Sequence, residues 1–425
     1  MLLPDALMFL AAVMRAASKK TIIRSKVAAV RLFSTSGLPP GRQPLSVTIV
    51  GSGPSAFYSA KHISLLLAPG SKKNPCPPSS LTINIVEKNP VPFGLVRSGV
   101  APDHEEVKNV VNDFTRFWEE FSGDNGNEGV VWNFFGGVEV GNDVTLEDVQ
   151  SASDCTVLAY GCSSDTPLTF GDGTIVKDLD LRSADFPPQS GYLNVLPARK
   201  FVHWYNGYTF GKERQEQQLR LNQHKIRNVV VIGNGNVAID CGRVIVKGRV
   251  SSADRQVEGE SLFGTDLSTR AWELLSADDD VWRGLETVTI VGRRSHLQSS
   301  FTIKELRELT RLTGDEHLPI EFDVCAGEIE RGRGFQVGKE ALKERPKKRI
   351  DKVFSDFIEV KAESPSEGKE GVKLALKFFL APHSIVVDDA DDSVVTGVTF
   401  EKTTLDDESA RAVGLNEVSF GSLNP

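Results

Sequence analysis

The sequence predicts an α/β protein built on two Rossmann-like dinucleotide-binding domains. Two observations carry this expectation. The phosphate-turn pattern G-x-G-x-x-A occurs twice, each time between a β-branched run and a helical one, and the strand that follows each turn ends in a different charge. Composition agrees: of 425 residues 40% are hydrophobic and 25% charged, with 37 glycines, which fits neither a disordered nor a fibrous chain. At this length two or three domains, each with its own core, are expected.

The first unit is LSVTIVGSGPSAFYSAKHISLLL. Gly51 allows the tight turn, Gly53 lets backbone approach a pyrophosphate, and Ala56 is small where helix meets strand. A helix from about Pro54 presents unpaired N–H groups to phosphate. The next strand, LTINIVEKN, ends in Glu87, placed to accept hydrogen bonds from both hydroxyls of an adenosine ribose. The stretch from Gly53 to Glu87 is longer than the usual ~20 residues. The insertion APGSKKNPCPPSS accounts for the excess and reads as a surface loop.

The second unit is RNVVVIGNGNVAIDCGRVIV, with Gly233, Gly235 and Ala238 in the same three roles. A polar, acid-rich excursion over 247–285, helical around Ala271 to Leu275, delays its partner strand TVTIVG. That strand ends in Arg293 and Arg294 where the first unit has Glu87. An acid there repels a 2′-phosphate, whereas an arginine pair clamps it through planar charge-assisted hydrogen bonds. At ~1.5 to 3 kcal/mol per bond, cut by exposure to about a third, the pair yields a several-fold to tenfold preference for the phosphorylated cofactor. FAD in the first site and NADPH in the second is the economical assignment.

The leader differs in kind. MRAASKKTIIRSKVAAVRLFSTS, residues 14–36, is basic, rich in Ser and Ala, and free of acids. This is the profile of a mitochondrial transit peptide rather than a secretory signal, because the apolar run is short and positive charge follows it. Removing residues 1–36 moves the formal charge from −8 to about −13, which disfavours nucleic acid as a partner. No run of ~18 apolar residues exists, so no transmembrane segment is expected. The five cysteines hold no C-x-x-C pair and no zinc-like or cluster-like spacing, and read as reduced buried thiols with no metal site. A disulfide acceptor beside a flavin is thereby disfavoured.

Between the two units, VEKNPVPFGLVRSGVAPDHEEVKNVVNDF resembles the adrenodoxin reductase family, the mitochondrial NADPH:ferredoxin reductases, in its P-F-G-L-V-R-x-G-V-A-P-D-H run followed by V-K-N. GNGNVAID and GRRSHLQSSFTIKELREL are similar to the family's NADP-binding regions, and the likeness runs from about Ser46 to at least Arg349. The resemblance implies that Ser55, Glu87, Leu95 and Val140 touch FAD. It implies that Asn234, Gly235, Asn236 and Val237 hold the NADPH pyrophosphate, that Arg293 and Arg294 hold its 2′-phosphate, and that Glu305 lies near the nicotinamide. His104 and Asp240, with Asp103, are candidates to tune the flavin or donate a proton to it.

The basic run KERPKKRIDK carries Arg345, Lys347, Lys348 and Arg349. The resemblance implies that this face docks an acidic mitochondrial [2Fe-2S] ferredoxin, with the protein in the matrix and any membrane association peripheral. The expected organisation is a transit peptide over 1–36, a discontinuous FAD domain beginning at 46–163, an NADP domain over 164–369, and a return to the FAD domain over 370–425. A segment resembling G-W-x-K-R-G-P-T-G-x-I is expected on that return and is not found, so the FAD domain is expected to be C-terminally truncated. Two alternatives stand beside the reductase: a truncated, non-catalytic NADP- or ferredoxin-binding form, and an FAD/NADPH monooxygenase.

Overall fold

The structure is a computed structural model and describes residues 43–69, 71–74, 77–122, 129–162, 165–176, 194–208, 226–250, 262, 264–275, 284–312, 320–363, 371–391 and 394–419. The transit-peptide expectation lies outside these residues. The chain divides into two compact units. One gathers the described parts of Met1–Val100, His104–Ser163 and Tyr208–Gln215; the other gathers those of Ala101–Asp103, Ser164–Gly207 and Glu216–Pro425.

In the first unit, Val- and Ile-rich runs form β1 (Leu45–Val50), β2 (Leu81–Glu87), β3 (Val130–Gly136) and β4 (Cys155–Leu158). They make one parallel sheet in the order β3-β2-β1-β4. Helix α1 (Pro54–Leu67) buries Ala56, Phe57, Ala60 and Ser64, a stripe at helical spacing. Phe57 stacks on Phe114 of α2 (Val110–Ser122) at 4.9 Å between ring centroids. Trp132 in β3 is buried and donates its indole N–H to Ser64 Oγ at 2.8 Å, so its polar atom is satisfied.

The second unit holds a short hairpin, β5 (Leu168–Thr169) with β6 (Ile175–Val176), and a second parallel sheet. That sheet is formed by β7 (Asn228–Ile232), β8 (Thr287–Val291), β9 (Ile320–Val324) and β10 (Val372–Lys377), in the order β7-β8-β10-β9. Helices α3 (Asn236–Val250), α4 (Ile303–Leu312) and α5 (Arg345–Glu363) follow β7, β8 and β9 in the chain. Strands β11 (Leu380–Val387), β12 (Val395–Leu405) and β13 (Ala412–Ser419) form a separate antiparallel sheet.

Residues 370–425, expected as a return to the FAD domain, cluster in their described part with the second unit, while one sequence-based expectation, that of the cysteines, is corrected below. The cause is pairing: β10 lies between β8 and β9, and its alternate residues Val372, Leu374 and Leu376 are buried in that unit's core with Phe378 and Phe379. The cysteines, expected to be buried thiols, are not all so. Cys241 is buried, and burial together with the nearby Asp240 pushes its thiol up to about 12, but Cys155, Cys162 and Cys325 are exposed.

An ion cluster pins β9. Asp323 meets Lys361 at 3.0 Å, Lys373 at 3.1 Å and Lys377 at 3.6 Å. Burial raises its pKa, but the hydrogen bonds from Lys361 and Lys373 outweigh this and hold it at about 2. A depressed carboxylate stabilises the fold above its unfolded pKa of ~3.9 and loses that contribution as pH falls toward the folded value. Discounted for solvent screening, Asp323→Asn costs about 1 kcal/mol at neutral pH. Urea midpoints of variant and wild type should therefore converge between about pH 4 and 2; a pH-independent gap contradicts the assignment.

Candidate functional site

In the first unit the turn after β1 is set by Gly51, whose φ of +106° excludes ordinary side chains. Gly53 caps α1 without a side-chain hydrogen bond, and a Cβ built on it meets nothing within 4 Å. A bare helix N-terminus beside open space is suited to phosphate. Glu87, at the end of β2, is buried; its Oε2 accepts from Ser52 N at 2.9 Å and Ser52 Oγ at 2.7 Å, and its Oε1 accepts from Asn89 N at 2.9 Å. Three donors on a carboxylate leave room for one more. Ser55 is exposed, Val140 half-buried, and Leu95 64% exposed at the start of a four-residue helix, Leu95–Ser98, capped by Gly94, which packs against Gly53. Arg97 on the same short helix forms no ion pair among the described residues, and burial lowers its pKa.

In the second unit Gly233 turns with φ +147° and leads into α3. Gly233, Gly235, Asn236 and Val237 line an open cleft of 360 Å³. The turn is fastened to the segment after β8: Ser300 N donates to Asn234 O at 2.9 Å, and Thr302 N to Asn236 Oδ1 at 2.8 Å. Asn234 Oδ1 is buried without a hydrogen-bond partner, an acceptor waiting for a donor. Arg293 is exposed and Arg294 half-buried, and no carboxylate pairs with either among the described residues. Their backbone is held by the antiparallel segment: Thr403 Oγ1 donates to Arg293 O at 2.7 Å and Phe379 N to Arg294 O at 3.4 Å.

The first turn of α5 is divided. Arg345, Lys348 and Arg349 are exposed, while Lys347 is half-buried and its Nζ donates to Ser299 O at 2.6 Å. Arg345, Lys347 and Arg349 border a second cleft of 610 Å³ whose other wall is the run from Ser299 to Ile303. Behind it, buried His296 bonds Asp351 through Nε2 at 2.9 Å, and Arg333 reaches the same carboxylate oxygen at 2.7 Å. Burial lowers the His296 pKa against the opposing pull of Asp351.

Helix α3 carries a buried charge cluster. Arg243 is 1% exposed and meets Asp103 at 2.9 Å, Asp240 at 2.9 Å, and Glu305 and Glu308 at 3.1 Å each. Lys247 adds a second cation 3.2 Å from Asp103. Burial pulls the Arg243 pKa down, but Asp103 first, then Asp240 and Glu308, raise it above its usual value.

No family model matches the chain. The human mitochondrial NADPH:adrenodoxin oxidoreductase is 34% identical over 390 residues, covering 90% of this chain and 64% of that protein. The probable NADPH:adrenodoxin oxidoreductase of Saccharomyces cerevisiae is 37% identical over 268 residues, 63% of this chain and 46% of its own length. Among solved structures, Mycobacterium tuberculosis FprA in complex with NADPH superposes with a TM-score of 0.64 at 28% identity, covering 89% of this chain and 68% of FprA. Over nine tenths of its length the chain is similar to an adrenodoxin reductase.

The chain spans 46%, 64% and 59% of the yeast, human and fly relatives. Within this adrenodoxin reductase relative, the structure gathers Gly51, Gly53 and Glu87 at one turn, and Gly233 through Val237 with the Arg293–Arg294 segment at another. It separates Lys347 from the exposed basic residues with which the sequence grouped it. His104 is buried at the head of a four-residue helix, Glu105–Lys108. Asp240 and Glu305, expected to serve the flavin and the nicotinamide, are both bound to Arg243, a residue that sequence reasoning did not single out. The signal was present: an arginine three residues after Asp240 inside an otherwise apolar helical run.

Proposed function

We propose that this protein is an FAD-containing oxidoreductase that takes electrons from NADPH and passes them to a mitochondrial [2Fe-2S] ferredoxin in the matrix. The observation that supports the reading is the contrast between the two turns: a buried glutamate at one strand end, and at the other two arginines that pair with no carboxylate among the described residues. The names of the human and yeast relatives, NADPH:adrenodoxin oxidoreductase, mitochondrial, support the same activity and compartment. FAD, when bound, supplies the chemistry that accepts a hydride and releases single electrons.

The protein's own part is positioning and charge. The α1 N-terminus at Gly53 and Ser55 holds the flavin pyrophosphate, Glu87 its ribose, and Leu95 and Val140 cover apolar surface of the cofactor. Asn234 to Val237 hold the NADPH pyrophosphate while Arg293 and Arg294 select the 2′-phosphate. Glu305, His104 and Asp240 are proposed to work at the reacting end. Exposed Arg345, Lys348 and Arg349 form the docking face, steering an acidic ferredoxin to a chain that is otherwise acidic.

The test is reconstitution with FAD followed by anaerobic titration. Absorbance near ~450 nm, as expected of bound flavin, should bleach with NADPH at concentrations where NADH has little effect. Arg345→Glu with Arg349→Glu should slow ferredoxin-linked cytochrome reduction at least about tenfold, since charged interface contacts are worth a few kcal/mol, and leave NADPH–ferricyanide turnover intact. A colourless protein refutes the reductase reading; equal loss in both assays refutes the docking face.

A further inference from the structure

We propose that Lys347 is a third cation of the 2′-phosphate pocket and helps set its selectivity, rather than belonging to the docking face. This rests on the reading of the second turn as an NADPH site.

The geometry sets Lys347 apart from its neighbours. Lys348 and Arg349 follow it directly and point into solvent, whereas Lys347 turns inward and fixes its ammonium 2.6 Å from the Ser299 carbonyl. Ser299 lies on the short link from Arg294 to Ser300, and Ser300 both hydrogen-bonds the phosphate turn through Asn234 and borders the two clefts. Lys347 thus reaches the piece of chain that joins the arginine pair to the dinucleotide turn. Its charge is felt there. Burial lowers its pKa against the opposing charge of Glu344, and the positive charge of Arg294, a smaller effect, lowers it further.

Such an arrangement is unfavourable in an empty protein. Like charges converge where no carboxylate pairs with Arg293 or Arg294 among the described residues, and at the N-terminus of a 19-residue helix whose first turn holds no acid. Helix N-termini normally attract negative charge, because the macrodipole is positive there. Cations gathered at that end, with one donor proton spent on a carbonyl and two remaining on the ammonium, make a receptor for a dianion. A 2′-phosphate on the adenosine ribose brings such a charge; an unphosphorylated ribose does not.

The experiment is calorimetric titration of the whole chain with adenosine 2′,5′-bisphosphate and with 5′-AMP, which requires no flavin and no turnover. Lys347→Met should weaken the bisphosphate about tenfold, or about 1.4 kcal/mol, and 5′-AMP less than about twofold. Lys347→Arg should retain the preference, and Lys348→Met should bind as wild type. Equal weakening of both nucleotides by Lys347→Met would mean that the Ser299 contact only braces α5, and unchanged bisphosphate binding would remove Lys347 from the pocket; either overturns the inference. If Arg294→Ala loses bisphosphate affinity while Lys347→Met does not, the inference alone fails. If wild type shows no preference for the bisphosphate, the NADPH reading fails and this inference with it.

Discussion

Arg243→Met should unfold at a much lower urea concentration than wild type, with a loss of about 3–5 kcal/mol, the cost of stranding a buried ion network without one partner. The guanidinium has five N–H donors, and Asp103, Asp240, Glu305 and Glu308 occupy all three of its nitrogens. Methionine fills similar volume but leaves four carboxylates facing one another with Lys247 as the nearest remaining cation. Buried acids without a counter-charge take up protons, so their folded pKa values rise above the unfolded ones. A raised carboxylate pKa means stability that is present at lower pH and lost as pH rises. The variant's deficit should therefore shrink from about pH 8 to about pH 5, in the range where displaced carboxylates titrate. Arg243→Lys, with one compact ammonium in place of a planar fork, should recover part of the loss and no more. A deficit below about 1 kcal/mol, the usual size for a surface pair, would mean that the four acids do not depend on Arg243.

The contrast between this cluster and the phosphate turns explains what the sequence could and could not reveal. Gly51, Gly53, Glu87, Gly233 and Arg293 are legible because the Rossmann signal is local: a strand, a glycine turn and a helix follow one another in the chain, and the strand end chooses the nucleotide. Arg243 is bound by Asp103 and Glu305 across separations of 140 and 62 residues, and no local pattern encodes such pairings. The same holds for β10. Its apolar alternation announces a strand, but insertion between β8 and β9 depends on which exposed edge of which sheet is open to it. Lys347 was grouped with Arg345 and Arg349 because charge runs carry no direction; only the helix places one side chain against Ser299 and leaves the others in solvent.

Gly51→Ala and Gly53→Ala should separate folding from cofactor binding within one turn. At Gly51 the backbone has φ +106°, and a Cβ would sit 2.4 Å from Ala159 O, a main-chain atom of the segment just past β4. Positive-φ strain of ~1–3 kcal/mol and overpacking of a similar ~1–3 kcal/mol add, so the loss should be about 3 kcal/mol or more, read as a lowered urea midpoint. At Gly53 φ is −78° and ψ −174°, which any residue adopts, and the added methyl meets nothing. Stability there should change by less than about 1 kcal/mol, and loss of unfolded-state entropy can even favour the alanine. Yet the open space beside the uncapped N-terminus of α1 is where a pyrophosphate must approach backbone N–H groups most closely. On the proposed reading, Gly53→Ala should fold as wild type and lose FAD affinity at least tenfold (about 1.4 kcal/mol), measured by quenching of flavin fluorescence. A Gly53→Ala variant that binds FAD normally would show that the first turn does not hold the cofactor, whereas a destabilised one would show that the glycine serves the fold alone.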